Sequence, residues 1–202
     1  MKIFAVIRNY PGSGADGGLF GAGGMSWYEL PDSSLSHTGN PFFVPDFDSR
    51  FVACPSVAYR IGRLGKSIAR RFAGRYLDAA TMACAVVAAD SLAAARRDGN
   101  PWTPAVAFDR SCLIGNFQPL DTFISSGPLT LECGETSTGY DPQALTLPVE
   151  AVVEAISATC TLKTGDIILA GLSPHGLPLN IQSRLRAWHN KDNTNAIDIN
   201  IR

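Results

Sequence analysis

At 202 residues, 46% of them hydrophobic and 17% charged, the chain has apolar material for one real core and rather few charges for its surface. A formal net charge of −1 supplies no field to draw it to nucleic acid or an anionic membrane, and no window approaches the roughly 18 consecutive apolar residues of a membrane span. The five cysteines (54, 84, 112, 133 and 160) are odd in number, widely spaced and without a C-x-x-C pair, which argues against a disulfide framework or zinc knuckle and fits a reducing, cytoplasmic setting.

The start, M-K-I-F-A-V-I-R-N-Y, has an apolar run broken by Arg8, too short for a secretory h-region, and Lys2–Arg8 reads as a buried first strand. Residues 11–24 contain seven glycines, a flexible loop that includes Gly12-x-Gly14-x-x-Gly17. A dinucleotide fingerprint needs a helix to open there and face the pyrophosphate, whereas Gly18-Leu19-Phe20-Gly21 opens none, so a mobile surface loop is the better reading. Met25–Leu30 is β-prone, Pro31–Ser34 punctuates it as a turn, and Pro41–Phe47 is a short extended piece. Phe51–Ile61 favours a strand, although Pro55 argues against a regular central ladder. The cations Arg60, Arg63, Lys66, Arg70, Arg71 and Arg75 form a patch without aromatic interleaving, which reads as a solvated face.

Alanine richness over Ala79–Ala95 predicts helix by propensity. Asp98–Pro101 breaks the chain, Ala105–Phe108 and Leu113–Phe117 look like short strands, Leu129–Cys133 is another, and Gly134–Ala144 is loop-like. Pro148 suits a first helical position with Thr146 near the cap, followed by Val149, Val152, Val153 and Ile156 on one helix face. Asp166–Ala170, Ile181–Trp188 and Ala196–Ile201 close the chain as strands, with no internal repeat and no second domain.

The segments PFFVPDF (41–47), RIGRLGKSIARRFAGRYLD (60–78), AFDRSCLIGNF (107–117) and TLKTGDIILAG (161–171), in this order, resemble the fumarylacetoacetate hydrolase family, specifically its short single-domain bacterial members. The resemblance covers nearly all of 1–202 apart from the glycine loop. It implies an α+β, mainly β fold, a mixed β-sandwich roll with a few short helices, and a homodimer. It also implies a helix near Ser67–Leu77, a strand over about Thr81–Ala88 and a helix from Asp90, against the propensity reading. Family reactions cleave, decarboxylate or isomerise β-diketo and 2-oxo acids around Mg²⁺ or Mn²⁺.

That chemistry needs hard oxygen ligands, and the metal then acts as a Lewis acid on an enolisable carbonyl. The family's Glu-x-Glu pair, both on one face of a strand, falls on Cys54 and Ser56, and its third carboxylate on Ala85. A thiol, a hydroxyl and a methyl do not replace three carboxylates for a hard cation. The family's lysine falls on Val106 and its A-R-D arginine on Ala89, leaving Asp90 as the matching acid. The T-G-T-P turn becomes Ala170-Gly171-Leu172-Ser173, and the lid His/Glu dyad after Asn9-Tyr10 gives way to the glycine loop. Retained Pro45-Asp46-Phe47, Phe108-Asp109, Gly115 and Gly165-Asp166 read as turn and packing devices.

The leading expectation is a catalytically degenerate family member without metal or other cofactor, acting through binding or assembly. It pairs with itself or an active relative, or holds a small neutral or apolar ligand in a roomier cavity. The alternative is a hydrolase, decarboxylase or isomerase with altered, metal-free chemistry based on Cys54, with His175 as its base. Such a cysteine needs a base or a positive surrounding to lower its pKa, and a buried Cys with a solvated loop His is the commoner case. A soft-metal site of Cys54, Cys84 and His175 has no support from spacing. Serine-hydrolase chemistry lacks a G-x-S-x-G elbow.

Overall fold

Two apolar runs that pair along their whole length organise the fold. The computed structural model describes residues 1–12, 18–125, 127–189 and 195–202. In chain order its strands are β1 (Ile3–Ile7), β2 (Ser26–Leu30), β3 (Leu35–His37), β4 (Phe51–Ile61), β5 (Leu77–Ala88), β6 (Cys112–Ile114), β7 (Gln118–Pro119), β8 (Leu129–Cys133), β9 (Thr136–Tyr140), β10 (Ile167–Leu169), β11 (Leu177–Pro178), β12 (Arg184–His189) and β13 (Asn195–Asn200). Helices α1 (Arg70–Ala73), α2 (Ala89–Asp98), α3 (Thr103–Val106), α4 (Leu120–Ser125) and α5 (Val149–Thr159) are interspersed. The β4–β5 ladder runs from Phe51 opposite Ala88 to Ile61 opposite Leu77 and forms the spine of a mixed sheet ordered β2-β1-β10-β4-β5-β6-β3. A second antiparallel sheet, β13-β12-β8-β9, packs its Leu129, Leu131, Leu185, Ala187, Ile197 and Ile199 into the same core. The architecture is α+β and mainly strand, as the resemblance implied.

Several local expectations change. Pro55 sits mid-strand in a central β4, yet no ladder bond is lost: its carbonyl accepts from Ser173 N at 2.9 Å, in the gap between β10 and β11. The N and C=O of one strand residue face the same side, so the missing N–H also points into that gap. The alanine-rich 77–88 is strand rather than helix, because it is buried on both faces and hydrogen-bonded between β4 and β6. The propensity signal survives only in α2, closed by Gly99 at φ 70. Ala105–Phe108 is not a strand; Pro104 in the first turn and the buried pair Ala105 and Val106 make it the short α3. Gly134–Ala144 is not all loop, since a turn at Gly134-Glu135 pairs Cys133 with Thr136 and launches β9. Pro148 lies just outside α5, at its cap, with Val152, Val153 and Ile156 buried as expected. In the basic patch, Phe72 does carry aromatic contacts: Arg71 and Arg75 lie over its ring at 4.7 and 5.3 Å.

Asp166, just before β10, ties the chain start to the β4 end. Its Oδ1 accepts from Lys2 N at 2.8 Å, and its Oδ2 from Lys163 N at 2.8 Å and Lys2 Nζ at 2.8 Å. Burial raises this carboxyl's pKa, but the Lys2 side chain and the two backbone N–H groups outweigh it and hold it below the usual carboxylate range. A depressed folded-state pKa contributes stability above the unfolded value of about 3.9, lost as pH falls through the folded one. Asp166→Asn is therefore expected to cost about 2 kcal/mol at pH 7, with the gap to wild type narrowing below about pH 4. Urea midpoints at pH 7 and 3 check this.

Candidate functional site

Cys54 and Ser56 share one face of β4, since side chains two apart on a strand point the same way. Cys54 lies directly opposite Ala85 on β5, and Ala85 opposite Cys112 on β6; Ser56 lies opposite Ala83. The long apolar runs fix this register, because a slip of one residue would turn every side chain to the other face. Cys54, Ser56 and Ala85 are each 0% exposed. The structure thus brings the three positions together, inside the roll.

None of them offers an anionic oxygen ligand. Burial pushes the thiols of Cys54 and Cys112 up to about 12, so both stay protonated at neutral pH. Cys84 rises well above its ordinary value by burial and by neighbouring Cys54, Cys112 and Cys133. Ser56 Oγ donates to Val57 O at 3.3 Å and accepts from Gly171 N at 3.3 Å, so the hydroxyl holds the 170–173 turn. Tyr140 reinforces that turn by donating to Gly171 O at 2.8 Å while its ring stacks on Tyr10 at 4.3 Å. Among the described residues, no group of three or more His, Cys, Asp and Glu could hold a metal ion. A thiol kept neutral, a spent hydroxyl and a methyl do not fit Mg²⁺ or Mn²⁺.

The surrounding positions are equally closed. Leu172 is buried and its N–H donates to Val6 O at 2.8 Å; Val106 is buried in α3; Ala89 opens α2 with its N–H on Arg50 O at 2.8 Å. Asp90 is exposed; its carboxylate accepts from Arg50 Nε at 3.0 Å and from Ser49 Oγ at 2.7 Å. The roomier cavity expected from the small residues is not what surrounds Cys54. A side chain at Gly176 would come within 3.0 Å of Cys54 Sγ and 2.9 Å of Ala53 O, so the 173–176 turn lies directly against the strand.

His175 is exposed, and its ring lies beside Gly12, where an added Cβ would be 3.3 Å from Nε2. Among the described residues no hydrogen bond joins it to Cys54, so the structure does not assemble that pair. The glycine segment also differs from a wholly mobile loop. Residues 13–17, including two glycines of the G-x-G-x-x-G string, lie outside the described residues, but Gly18–Phe20 forms a turn with Phe20 buried and Leu19 N donating to Pro174 O at 3.2 Å. This half of the segment roofs the 173–176 turn.

The fumarylacetoacetate (FAA) hydrolase C-terminal family model matches residues 2–193. The chain belongs to the fumarylacetoacetate hydrolase family. It is 28% identical over 196 residues to an uncharacterised protein of Pyrococcus horikoshii, covering 93% of this chain and 83% of that one. It is also 28% identical over 181 residues to the mitochondrial oxaloacetate decarboxylase of Dictyostelium discoideum, covering 87% and 82%. The fold superposes on a fumarylacetoacetate hydrolase family protein from Yersinia pestis with a TM-score of 0.89 at 21% identity, covering 100% and 93%. Fumarylpyruvate hydrolase from Pseudomonas aeruginosa, solved with Mn²⁺ and pyruvate, gives 0.86 at 18% identity, covering 100% and 90%.

Within this fumarylacetoacetate hydrolase fold, two features of the site escaped sequence reasoning. Tyr28 Oη is buried in the roll without a hydrogen-bond partner among the described residues; burial, then Cys54 and Cys112, pushes its pKa well up. Its only sequence signal is the alternation of β2, which does not say that an edge strand curls over the β4–β6 face. The second is Asn9, 0% exposed, whose amide links β1 to α5 and β10. The neighbouring Tyr10 also holds the fold here, its Oη accepting from Asp141 N at 2.9 Å.

Proposed function

We propose that this chain is a fumarylacetoacetate hydrolase family protein that has given up divalent-metal chemistry and acts through binding or assembly, with a second copy of itself as the first partner. One observation carries the reading: Cys54, Ser56 and Ala85 meet on adjacent strands, fully buried, and together present no oxygen anion. The test is thermal unfolding of metal-stripped protein with and without about 10 mM Mg²⁺ or Mn²⁺, alongside oxaloacetate decarboxylation and enol–keto conversion followed by absorbance. A metal site with a dissociation constant near 0.1 mM adds about 2.7 kcal/mol by linkage, or a midpoint rise of roughly 5–11 °C. No rise and no turnover above buffer are expected; a saturable rise, or metal-dependent turnover, overturns the reading.

A second reading draws support from the relatives, whose names include oxaloacetate decarboxylase and oxaloacetate tautomerase. In it the chain acts as a hydrolase, decarboxylase or isomerase of β-diketo or 2-oxo acids by metal-free chemistry. Metal-independent turnover that Cys54→Ser abolishes would establish it. The sealed, proton-holding Cys54 thiol speaks against it, because a nucleophilic cysteine needs a lowered pKa and access.

A further inference from the structure

The cleft between the end of β1 and the end of α2 holds two arginines without a counter-charge. It measures about 340 Å³ and is lined by Arg8, Phe20, Gly21, Arg96, Asn100 and Trp102, among others. Arg8 and Arg96 have no carboxylate within ion-pair distance among the described residues, as is also true of Arg63, Arg70, Arg71, Arg75, Arg110 and Arg202; what sets the first two apart is that they line one cleft. Two like charges facing one cleft repel each other and raise the local concentration of anions.

Each guanidinium is moored by a single nitrogen. Arg8 Nη1 donates to Ala22 O at 3.2 Å, and Arg96 Nη1 to Gly18 O at 3.1 Å and Leu19 O at 2.8 Å. Among the described residues no hydrogen bond takes up the Nε–Nη2 edge of either, and a planar edge of this kind can receive an oxyanion bidentately. Arg8 Nε is buried and has no hydrogen-bond partner among the described residues, a donor that costs free energy while unpaired. The surrounding backbone is shaped to the two heads. Arg8 itself takes a φ of 60, unusual for a residue with a side chain, and a Cβ at Gly21 (φ 73) would come within 2.6 Å of Arg96 Nη2.

We propose that this cleft is a phosphate site, which takes a small phosphate-bearing molecule with its phosphate between Arg8 and Arg96 and its organic part against Trp102. A tetrahedral dianion presents two oxygen edges to the two forks, whereas a single carboxylate presents one. The site is distinct from the sealed β4–β5 interior, since Arg96 lies seven residues along α2 from Ala89, about 10 Å by helical rise.

The experiment is a titration of the full chain with inorganic phosphate and with ribose 5-phosphate, read by tryptophan fluorescence and thermal midpoint against sodium chloride at matched ionic strength. Saturable binding is expected in both readouts, with the fluorescence change lost in Trp102→Phe while Trp27 and Trp188 remain. Arg8→Lys and Arg96→Lys keep the charge but lose the fork, and each should weaken phosphate at least tenfold; if Arg8→Lys fails to fold, Arg96→Lys decides. An equal effect from chloride, or wild-type affinity in the lysine variants, overturns the proposal. So does tighter binding of succinate than of either phosphate.

Discussion

Ala85→Asp is expected to destabilise the protein by about 4 kcal/mol at pH 7, lowering its thermal midpoint by roughly 8–16 °C. Ala85 is 0% exposed, between Cys54 on one strand and Cys112 on the next. A carboxylate there is fully buried beside the protonated thiols of Cys54 and Cys112, so the charged form is disfavoured and the folded-state pKa rises above the ordinary value of about 3.9. A raised folded-state pKa in an acid means that the penalty grows as pH climbs past the unfolded value and shrinks below it. The loss should therefore be larger at pH 7 than at pH 4, whereas the near-isosteric Ala85→Asn should show a loss that does not change with pH. About 10 mM Mn²⁺ should recover none of it, because one carboxylate supplies only one of the ligands a hard cation needs. Chemical denaturation at the two pH values, with and without Mn²⁺, is the check. A pH-independent loss, or recovery by the metal, would mean that the interior is more polar than the thiols make it.

The second large effect is expected away from that face. Asn9 Nδ2 donates to Leu147 O at 3.0 Å and to Ala170 O at 2.8 Å, and its Oδ1 accepts from Leu147 N at 2.8 Å. Two carbonyls on one atom and an N–H on the other fix the amide orientation. Asn9→Ala leaves the buried Ala170 carbonyl and the part-buried Leu147 N–H and carbonyl without their partner, at about 2–4 kcal/mol in all. Asn9→Asp should be no better, since it keeps the acceptor, loses both donors and buries a charge. Urea unfolding of both variants tests this; losses under about 1 kcal/mol would show that water replaces the amide. One side chain joins the end of β1, the approach to α5 and the turn after β10, so its loss should loosen the 170–173 turn that Ser56 and Tyr140 also hold.

The sequence by itself determined the family and the mainly-β class, and it named the positions on which the proposed absence of a metal site rests. Each was readable because it rests on local strings: Arg60-Ile61 and Pro45-Asp46-Phe47 bracket Cys54 and Ser56, and two-residue alternation puts those two on one face. Propensity alone misread 77–88, where alanine says helix, because the deciding bonds come from strands far away in sequence. The same limit hid the place of Pro55, harmless only because of the gap between β10 and β11. Tertiary structure also decided what the small residues around Cys54 do. From sequence they read as an emptier pocket, but the 173–176 turn and Tyr28 close over them. Likewise nothing local links Arg8 to Arg96, which share a cleft only because the segment from Gly18 to Ala22 folds back and ties both heads to its carbonyls. Side-chain chemistry is written residue by residue, whereas burial and juxtaposition depend on long-range pairings, and those decide whether a group is a ligand, a filler or a site.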